Sequence, residues 1–440
     1  MTGRKLEADV VIAGAGPGGC VLACELARAG KRVVLIERAG RRSPFLGTPL
    51  GIYLRLEKRW WGGVRRTEQG DALILARALG GGTVVFAGAA FRPDLDLWRR
   101  YGVELSPQMV EQAERECWVH ETPPEFIGPG SRRIRQAACE LGLPFEVLER
   151  HVDFSRCTPG CARCAFGCPV DARWSGGLQA AEAQRCGAML LTGTTVRRVR
   201  IDAGTAVGVE ASRSLGRRCE IDARAVVLSA GGIHTARILR RSGISGAGRR
   251  LSGDPTLFSF GFVEPGAGNG AEHAMSVGFH DRERGICFCG MAAPPLAWHV
   301  QLLRDERMRA LRYLHRFGRV LSVFAKVADE GQGEIADDGR VSKTYTARDM
   351  DRLAESRETN ERILVRAGCR PGEIHHTGLT LGHPGGTLGV GRLLDADLQT
   401  EIRGLYCCDT SVLPEATGAP TALTVVVLAK RLADHLARVL

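Results

Sequence analysis

The stretch DVVIAGAGPGG, residues 9–19, decides the fold of this 440-residue chain. Asp9 to Ala13 form a short apolar, β-branched run, which predicts a buried parallel strand. The glycines that follow fit the pattern G-x-G-x-x-G, and residues 20–29 have helical character up to Gly30, a good helix C-cap. A strand, a glycine-rich turn and a helix in this order predict the start of a dinucleotide-binding βαβ unit.

Each glycine of the motif has its own expected role. Gly14 permits the tight turn, Gly16 lets a pyrophosphate approach the backbone, and Gly19 allows the helix to pack closely on the strand. The second strand, residues 31–37, ends in Glu37, whose carboxylate suits ribose hydroxyls. An acid at this place separates the motif from an ordinary Gly-rich turn and favours FAD or NAD over NADP.

Composition and charge place the chain among ordinary globular proteins. It is 44% hydrophobic and 25% charged, and its 56 glycines gather around a few loops. The net charge of +11 comes almost entirely from arginine spread along the chain, because only six residues are lysine. We therefore expect no nucleic-acid partner; an Arg-rich surface, or else an anionic partner, accounts for the charge.

Three features indicate the compartment. Residues 1–8 are polar and show no signal-peptide pattern, and the longest apolar run, residues 422–429, is far shorter than a membrane span of roughly 20 residues. Fifteen cysteines without an export signal indicate a reducing environment. We expect a cytoplasmic protein with no membrane span.

Four cysteines lie close together in residues 157–169, which read CTPGCARCAFGCP. The spacing C-x3-C-x2-C-x3-C-P resembles the end of the bacterial ferredoxin motif and predicts a 4Fe-4S cluster. A three-iron cluster, a structural zinc and four free thiols are the alternatives; zinc ribbons usually have two C-x2-C pairs, and one is present here. The predicted metal ligands are Cys157, Cys161, Cys164 and Cys168.

A redox cluster beside a dinucleotide-binding fold favours FAD over NAD as the bound cofactor. NAD carries two electrons together as a hydride, whereas a cluster accepts one electron at a time. A flavin exchanges electrons in both ways, so FAD becomes the expected cofactor.

Several blocks in the C-terminal part follow a familiar order. They read HPGGT (383–387), LDADL (394–398) and GLYCCDTSVLP (404–414), and a closing helix follows up to residue 436. Two internal blocks accompany them: Gly81-Gly82-Thr83, and residues 225–244. Together these blocks resemble the glucose–methanol–choline (GMC) oxidoreductase family. The cysteine block resembles the branch of bacterial FAD-dependent sugar dehydrogenases, whose C-P-x-G-A-K stretch corresponds to CPVDAR at 168–173, with Asp171 and Arg173 as departures.

The resemblance implies a mechanism. His383 occupies the position of the family's catalytic histidine, a neutral imidazole that takes the substrate hydroxyl proton while hydride passes to flavin N5. A histidine that only caps the Gly-rich turn is the alternative. Asp409 is expected near the flavin and Val196 near the adenine. The full set of expected cofactor contacts is Gly14, Gly16, Gly19, Glu37, Gly81, Gly82, Thr83, Val196, Asp409 and Thr421.

One departure from the family concerns the substrate. The family usually places a second His or Asn just before its P-x-L-T sequence, but residues 417–424 read TGAPTALT. Pro420 suits the first turn of the last helix, whose N-terminus favours a reduced flavin anion. The second substrate-holding group is therefore missing unless His375, His376 or Thr421 supplies it. For His375 and His376, a surface or capping role is the alternative.

The expected architecture is α/β, with a Rossmann-type FAD-binding domain and a smaller α+β substrate domain that contains an antiparallel sheet. Trp60-Trp61 and the glycine run 80–82 are expected in a loop over the cofactor, and ordinary core or surface positions are the alternative for Trp60-Trp61. The FAD-binding domain is assigned to residues 1–95, 155–252 and 370–440, and the substrate domain to residues 96–154 and 253–369.

The expected activity is the oxidation of a small-molecule CH–OH substrate, with electrons leaving singly through the cluster to an electron carrier protein or a redox partner subunit. The first alternative is the reverse direction, reduction of a carbonyl or an activated C=C bond. The second is a non-catalytic electron-transfer subunit. Direct oxidase activity is not expected, because a cluster would be redundant if oxygen took the electrons.

Overall fold

The computed structural model describes residues 6–40, 45–58, 64–213, 216–293, 298–299, 302, 313, 315–316 and 318–440. Trp60 and Trp61 lie outside the described residues. The helices are α1 Pro17–Arg28, α2 Pro49–Arg55, α3 Leu95–Arg100, α4 Pro107–Glu116, α5 Pro129–Glu140, α6 Gly176–Arg185, α7 Gly232–Arg241, α8 Ala347–Arg366 and α9 Ala422–Val439. The strands are β1 Leu6–Ala13, β2 Val33–Ile36, β3 Ala72–Leu73, β4 Val119–Glu121, β5 Glu146–Val147, β6 Glu149–His151, β7 Met189–Leu191, β8 Thr194–Asp202, β9 Thr205–Arg213, β10 Arg218–Leu228, β11 Pro255–Phe262, β12 Val277–Asp281, β13 Ile286–Gly290, β14 Val320–Val327, β15 Gly333–Ile335, β16 Val341–Lys343, β17 His375–His376, β18 Thr380–Leu381 and β19 Leu405–Cys407.

The first sheet has the order β7-β2-β1-β10-β9-β8, and β19 pairs with the C-terminal half of β10. Strands β7, β2, β1, β10 and β19 are parallel, whereas β8 and β9 form an antiparallel extension. Residues 10–13 of β1 are almost fully buried, as expected of a parallel strand covered on both faces. Helix α1 packs against α6 and α9. The predicted Rossmann-type domain is confirmed.

The second sheet has the order β3-β18-β11-β14-β13-β12-β5, and β17 also pairs with β11. All pairs in it are antiparallel except β18 with β3. Helices α5 and α8 pack on one face, over a core that includes Val323, Ala325 and Val327. Side chains alternate along a strand, so Phe324 and Lys326 lie on the opposite face. The predicted antiparallel sheet over the cofactor region is confirmed as an element of the fold.

The domain boundaries remain a prediction. Trp98, Val110 and Cys117, from the segment assigned to the substrate domain, pack into the core of the first sheet. Strands β3, β17 and β18, from segments assigned to the FAD-binding domain, join the second sheet instead. Chain segments therefore cross between the two sheets more often than the predicted division allows for.

Within the described ranges, none of the helices has the length and apolarity that crossing a membrane requires.

Candidate active site

A cavity of about 530 Å³ lies between the C-terminal ends of the parallel strands and the second sheet. Ligands of open α/β sheets bind at this end of the strands. Nine of the ten predicted cofactor contacts line the cavity, and so does His383. The tenth, Gly19, is buried in α1 just behind the glycine turn.

The glycine turn is shaped by contacts that leave no room for side chains. Gly14 has φ +108°, and a Cβ placed there would lie 2.3 Å from the carbonyl oxygen of Ser229. A Cβ on Gly19 would lie 2.1 Å from the oxygen of Gly14, which reflects close packing of α1 on β1. On Gly16 the nearest atom would be 3.7 Å away, so the backbone there is open. The N-terminus of α1 thus presents free N–H groups to the cavity, the arrangement that binds a pyrophosphate.

Glu37 connects this turn to the second strand. Its side chain is buried at 7% exposure, and its two oxygens accept hydrogen bonds from the backbone N–H groups of Ala15 (3.0 Å) and Ala39 (2.8 Å). Val196, on β8, is buried beside it in the same wall of the cavity. The predicted ribose and adenine contacts therefore lie together at one end.

The turn Gly81–Val84 forms another wall. The hydroxyl of Thr83 accepts a hydrogen bond from the Gly176 N–H at 2.9 Å. The guanidinium of Arg173, which is 3% exposed, donates to the carbonyl oxygens of Thr83 and Val84. Arg173, the residue that replaces the family's lysine, thus ties this turn to the end of the cysteine block.

Asp409 holds the start of α7 in place beside the cavity. One of its oxygens accepts from the Gly231 N–H (2.8 Å) and the Thr235 hydroxyl (2.5 Å), and the other from the Ser411 N–H (2.7 Å). Burial raises the pKa of Asp409, although these hydrogen bonds oppose the shift. Thr421, at the N-cap of α9, lines the cavity nearby.

His383 lies between two charged side chains. Its Nδ1 is 3.2 Å from Asp254 Oδ2 and 3.4 Å from Lys326 Nζ. The pKa of His383 is lowered, first by burial and then by Lys326, whereas Asp254 opposes the shift. The imidazole is therefore neutral near pH 7. With Nδ1–H donated to Asp254, Nε2 keeps a free lone pair and can accept a proton.

The sequence did not identify Asp254 and Lys326, because neither lies in one of the sequence blocks quoted above for the resemblance. One signal was present: a lysine in the mostly apolar run VLSVFAKV of β14. The other two candidate histidines lie outside this cavity. His376 Nδ1 is 2.9 Å from Ser259 Oγ, and His375 lies among the rings of Phe260 and Tyr313. Neither is among the described residues that line the cavity.

The cysteine loop adjoins the cavity through Ala165, which lines it. Arg150, fully buried, donates to Cys164 Sγ at 3.3 Å, and Cys157 Sγ is 3.8 Å from His273 Nε2. Burial raises the pKa of Cys164, but Arg150 and then His273 outweigh it and bring the value to about 6. Burial raises the pKa of Cys157 to about 11.

The four predicted ligands, Cys157, Cys161, Cys164 and Cys168, share one loop but do not form a ligand group. In the described part of the chain, no three Cys, His, Asp or Glu side chains are grouped so that they could hold a metal ion. The side-chain arrangement therefore does not fit a cluster as it stands, and the 4Fe-4S centre remains a prediction from the spacing.

Comparisons with known proteins identify relatives of this chain. A family model described as GMC oxidoreductase matches residues 8–256, and its C-terminal counterpart matches residues 296–429. An uncharacterised GMC-type oxidoreductase of Mycobacterium tuberculosis is 29% identical over 98% of this chain and 76% of its own length. The long-chain-alcohol oxidase FAO4B of Arabidopsis thaliana is 26% identical, over 96% of this chain and 66% of its own length. The crystal structure of pyridoxine 4-oxidase from Mesorbium loti has a TM-score of 0.68 at 18% identity, covering 97% of this chain and 98% of that one.

A Rossmann-type sheet, a glycine turn with an acid beside it and a histidine across the cavity define an FAD-dependent oxidoreductase. The two family models together span most of the sequence, and the chain belongs to the GMC oxidoreductase family. Members of this family bind FAD. The residues present fit that cofactor, because the open backbone at Gly16 and the buried Glu37 lie at one end of a cavity that reaches His383 at the other.

Proposed function

We propose that the chain is an FAD- and 4Fe-4S-dependent dehydrogenase. In this proposal it oxidises a CH–OH substrate with His383 as the base, and the electrons leave one at a time through the cysteine loop to a partner protein. The observation that carries the proposal is that His383 and Ala165 of the cysteine loop line the same cavity. A base and an electron exit beside one flavin site are the parts that such a dehydrogenase needs.

The roles of the chain's own residues follow from the geometry of the site. Gly16 and the N-terminus of α1 bind the pyrophosphate, and Glu37 binds the adenosine ribose. Asp254 fixes the tautomer of His383, whose Nε2 accepts the hydroxyl proton. FAD, when bound, supplies the acceptor for the hydride. The second sheet covers this end of the cavity and excludes water.

The cluster is the part of the proposal that the sequence supports most directly. Four thiols within a dozen residues, ending in Cys-Pro, are typical of iron–sulfur sites. Arg150 at Cys164 Sγ supplies a positive charge beside one of the four thiols. Loading with iron requires the four sulfurs to come together as a ligand group, which they do not form in the present arrangement.

Two further parts of the proposal concern the setting. The electron acceptor is a carrier protein or a partner subunit, and the arginine-rich surface favours an acidic one. The location is the cytoplasm, where free cysteines stay reduced.

The test is composition and spectroscopy of anaerobically purified protein. We expect one FAD, about four irons and about four acid-labile sulfides per chain, and a visible spectrum that bleaches with an alcohol substrate. Cys164→Ser is expected to remove iron while FAD remains. One FAD with zinc or no metal would limit the proposal to a plain flavin dehydrogenase, and a cluster without FAD would refute it.

Oxidase activity is the second candidate, and the long-chain-alcohol oxidase among the relatives favours it. Stoichiometric peroxide during alcohol turnover would establish this alternative in place of electron export. Reduction of a carbonyl or activated C=C bond, the reverse direction, would be seen as reoxidation of dithionite-reduced protein by the carbonyl compound. A non-catalytic electron-transfer subunit would keep its function in a complex after His383→Ala.

A further inference from the structure

The cavity lacks the second oxygen-binding group that GMC relatives usually place beside their catalytic histidine. Among the described residues that line it, the histidines are His234 and His383, and there is no Asn or Gln. His234 bonds to Glu57 at 2.7 Å and is not near His383 in the hydrogen-bond network. A different side chain has to hold the substrate oxygen.

Lys326 lines the same cavity beside His383. In the pairing of β11 with β14, Lys326 lies directly opposite Thr256, and Phe324 directly opposite Phe258. All four side chains line the cavity, whereas the alternate residues of β14 pack under α8. We call the part of the cavity lined by Thr256, Phe258, Phe324, Lys326 and His383 the substrate chamber.

The hydrogen bonds of Lys326 leave donors free for a ligand. An ammonium group has three N–H donors. One donates to Thr256 Oγ1 at 3.0 Å. The neighbouring His383 Nδ1 donates its proton to Asp254, so it does not accept from Lys326. Lys326 makes no ion pair with any described carboxylate. At 5% exposure these donors are directed at the chamber or at protein atoms, not at bulk water.

The other two buried lysines behave differently. Lys343 pairs with Asp329, and Lys430 pairs with Glu25 and Glu116. A buried cation without a carboxylate in direct contact is costly, and a ligand can add negative charge. Burial lowers the pKa of Lys326, the charge of Asp254 opposes this shift, and an anionic oxygen beside Nζ would further favour the charged form.

We propose that Lys326 is a catalytic residue that donates a hydrogen bond to the substrate oxygen, replacing the family's second His or Asn. The inference rests on the proposed function, oxidation of a CH–OH group with His383 as the base. The O–H proton goes to Nε2 of His383, the carbinol hydride goes to FAD, and Lys326 transfers no proton. A cation stabilises the developing alkoxide more than a neutral amide does.

The test uses two ligands of the same shape, benzoate and benzamide, titrated into FAD-loaded protein and followed by the visible spectrum of the flavin. Benzoate presents an anionic oxygen and benzamide a neutral one. Lys326→Met is expected to raise the Kd of benzoate about 10-fold or more, the loss typical of a charged hydrogen bond, and that of benzamide by less than about 3-fold. Lys326→Gln, which keeps donors without the charge, is expected to fall between wild type and Lys326→Met.

Lys430→Met is the matched control, since Lys430 is equally buried but lies outside the chamber. It is expected to leave both affinities unchanged. Equal loss of benzoate and benzamide binding in Lys326→Met, or no loss of either, would overturn the assignment. If no alcohol bleaches the wild-type flavin, the proposed function fails, yet the benzoate-to-benzamide comparison still decides whether Lys326 binds an anionic oxygen.

Discussion

His383 owes its character to the two charges that flank its ring. Asp254 and Lys326 both approach Nδ1, within 3.2 and 3.4 Å, and they shift the pKa of the imidazole in opposite directions. Asp254 also accepts a hydrogen bond from the Gly418 N–H at 3.0 Å, which fixes the carboxylate. The ring is thus oriented by a carboxylate that does not itself face the substrate.

Removing the imidazole tests its role as the base. His383→Ala is expected to slow flavin reduction by the substrate about 10²- to 10⁴-fold, the usual contribution of a general base. FAD content should not change, because the His383 ring contacts Asp254 and Lys326, which are not among the predicted FAD contacts. Anaerobic stopped-flow absorbance measures the rate. The exposed His120 supplies the control His120→Ala, and an unchanged rate in His383→Ala would exclude the base.

The pH dependence follows from the same neighbours. Burial and Lys326 lower the pKa of His383 below the ordinary 6.5, so the acid limb of kcat/KM should lie below that pH. Lys326→Met removes a cation that lowers this pKa, and the limb is expected to move to higher pH. Asp254→Asn removes an anion that raises it, and the limb should move to lower pH. Shifts of both variants in one direction would contradict this arrangement.

Among the elements, the glycine turn and α1 depend most strictly on residue size. Gly19→Ala would place a methyl group 2.1 Å from the oxygen of Gly14, and backbone cannot yield that far without moving α1 off β1. We expect the purified variant to lose FAD. The exposed Gly40, where a Cβ would have no neighbouring atom within 4 Å, gives the control Gly40→Ala, which should keep it. Flavin released by heat and measured by fluorescence distinguishes the two.

The two-stranded sheet of β4 and β6 contains an acid-sensitive residue. His151, on β6, is buried between Phe86 and Trp174, and burial lowers its pKa to about 4 from 6.5. Between these values the unfolded chain binds the additional proton, so the stabilising effect is full above pH 6.5 and is lost as pH falls toward 4. We expect the free energy of unfolding to drop by at most about 3 kcal/mol over this range on account of His151.

Urea unfolding at pH 7 and pH 4.5 measures this effect, and His151→Asn is the comparison. Asn can still donate to the Cys117 carbonyl that His151 Nδ1 contacts, but it does not titrate. The variant should show a smaller difference between the two pH values than wild type. An equal difference would assign the acid sensitivity to other groups.

At the scale of the whole molecule, the parts that the sequence predicts are those built from neighbouring residues. The glycine turn and Glu37 lie within one βαβ unit, and the local hydrophobic pattern is sufficient for them. Asp254 and Lys326 meet His383 only through the second sheet, whose register joins β11 to β14 across a long separation in sequence. No local pattern encodes that meeting. The same reasoning applies to β3 and β18. They pair with each other although they lie far apart in the sequence, and no local pattern encodes that pairing.

The lysines illustrate a second limit. Of the six lysines in the chain, Lys326, Lys343 and Lys430 are buried. The positive charge of the chain comes almost entirely from arginine. Composition alone suggested only a basic surface. Only the three-dimensional packing shows that half the lysines are buried. Two of these, Lys343 and Lys430, pair with carboxylates, whereas Lys326 faces the chamber.

The pairing of β10 has a consequence for how the protein is made. Leu228 on β10 pairs with Ala13 of β1 on one side and with Cys407 of β19 on the other. A chain emerging from the ribosome can form the local β8-β9-β10 unit early, but the second parallel partner of β10, β19, follows much later in the sequence. Until then the nascent sheet exposes an unpaired strand edge, and α1 lacks α9 to pack against. The cofactor pocket therefore closes only once α9 has left the ribosome, and we expect nascent chains to need chaperones until that point.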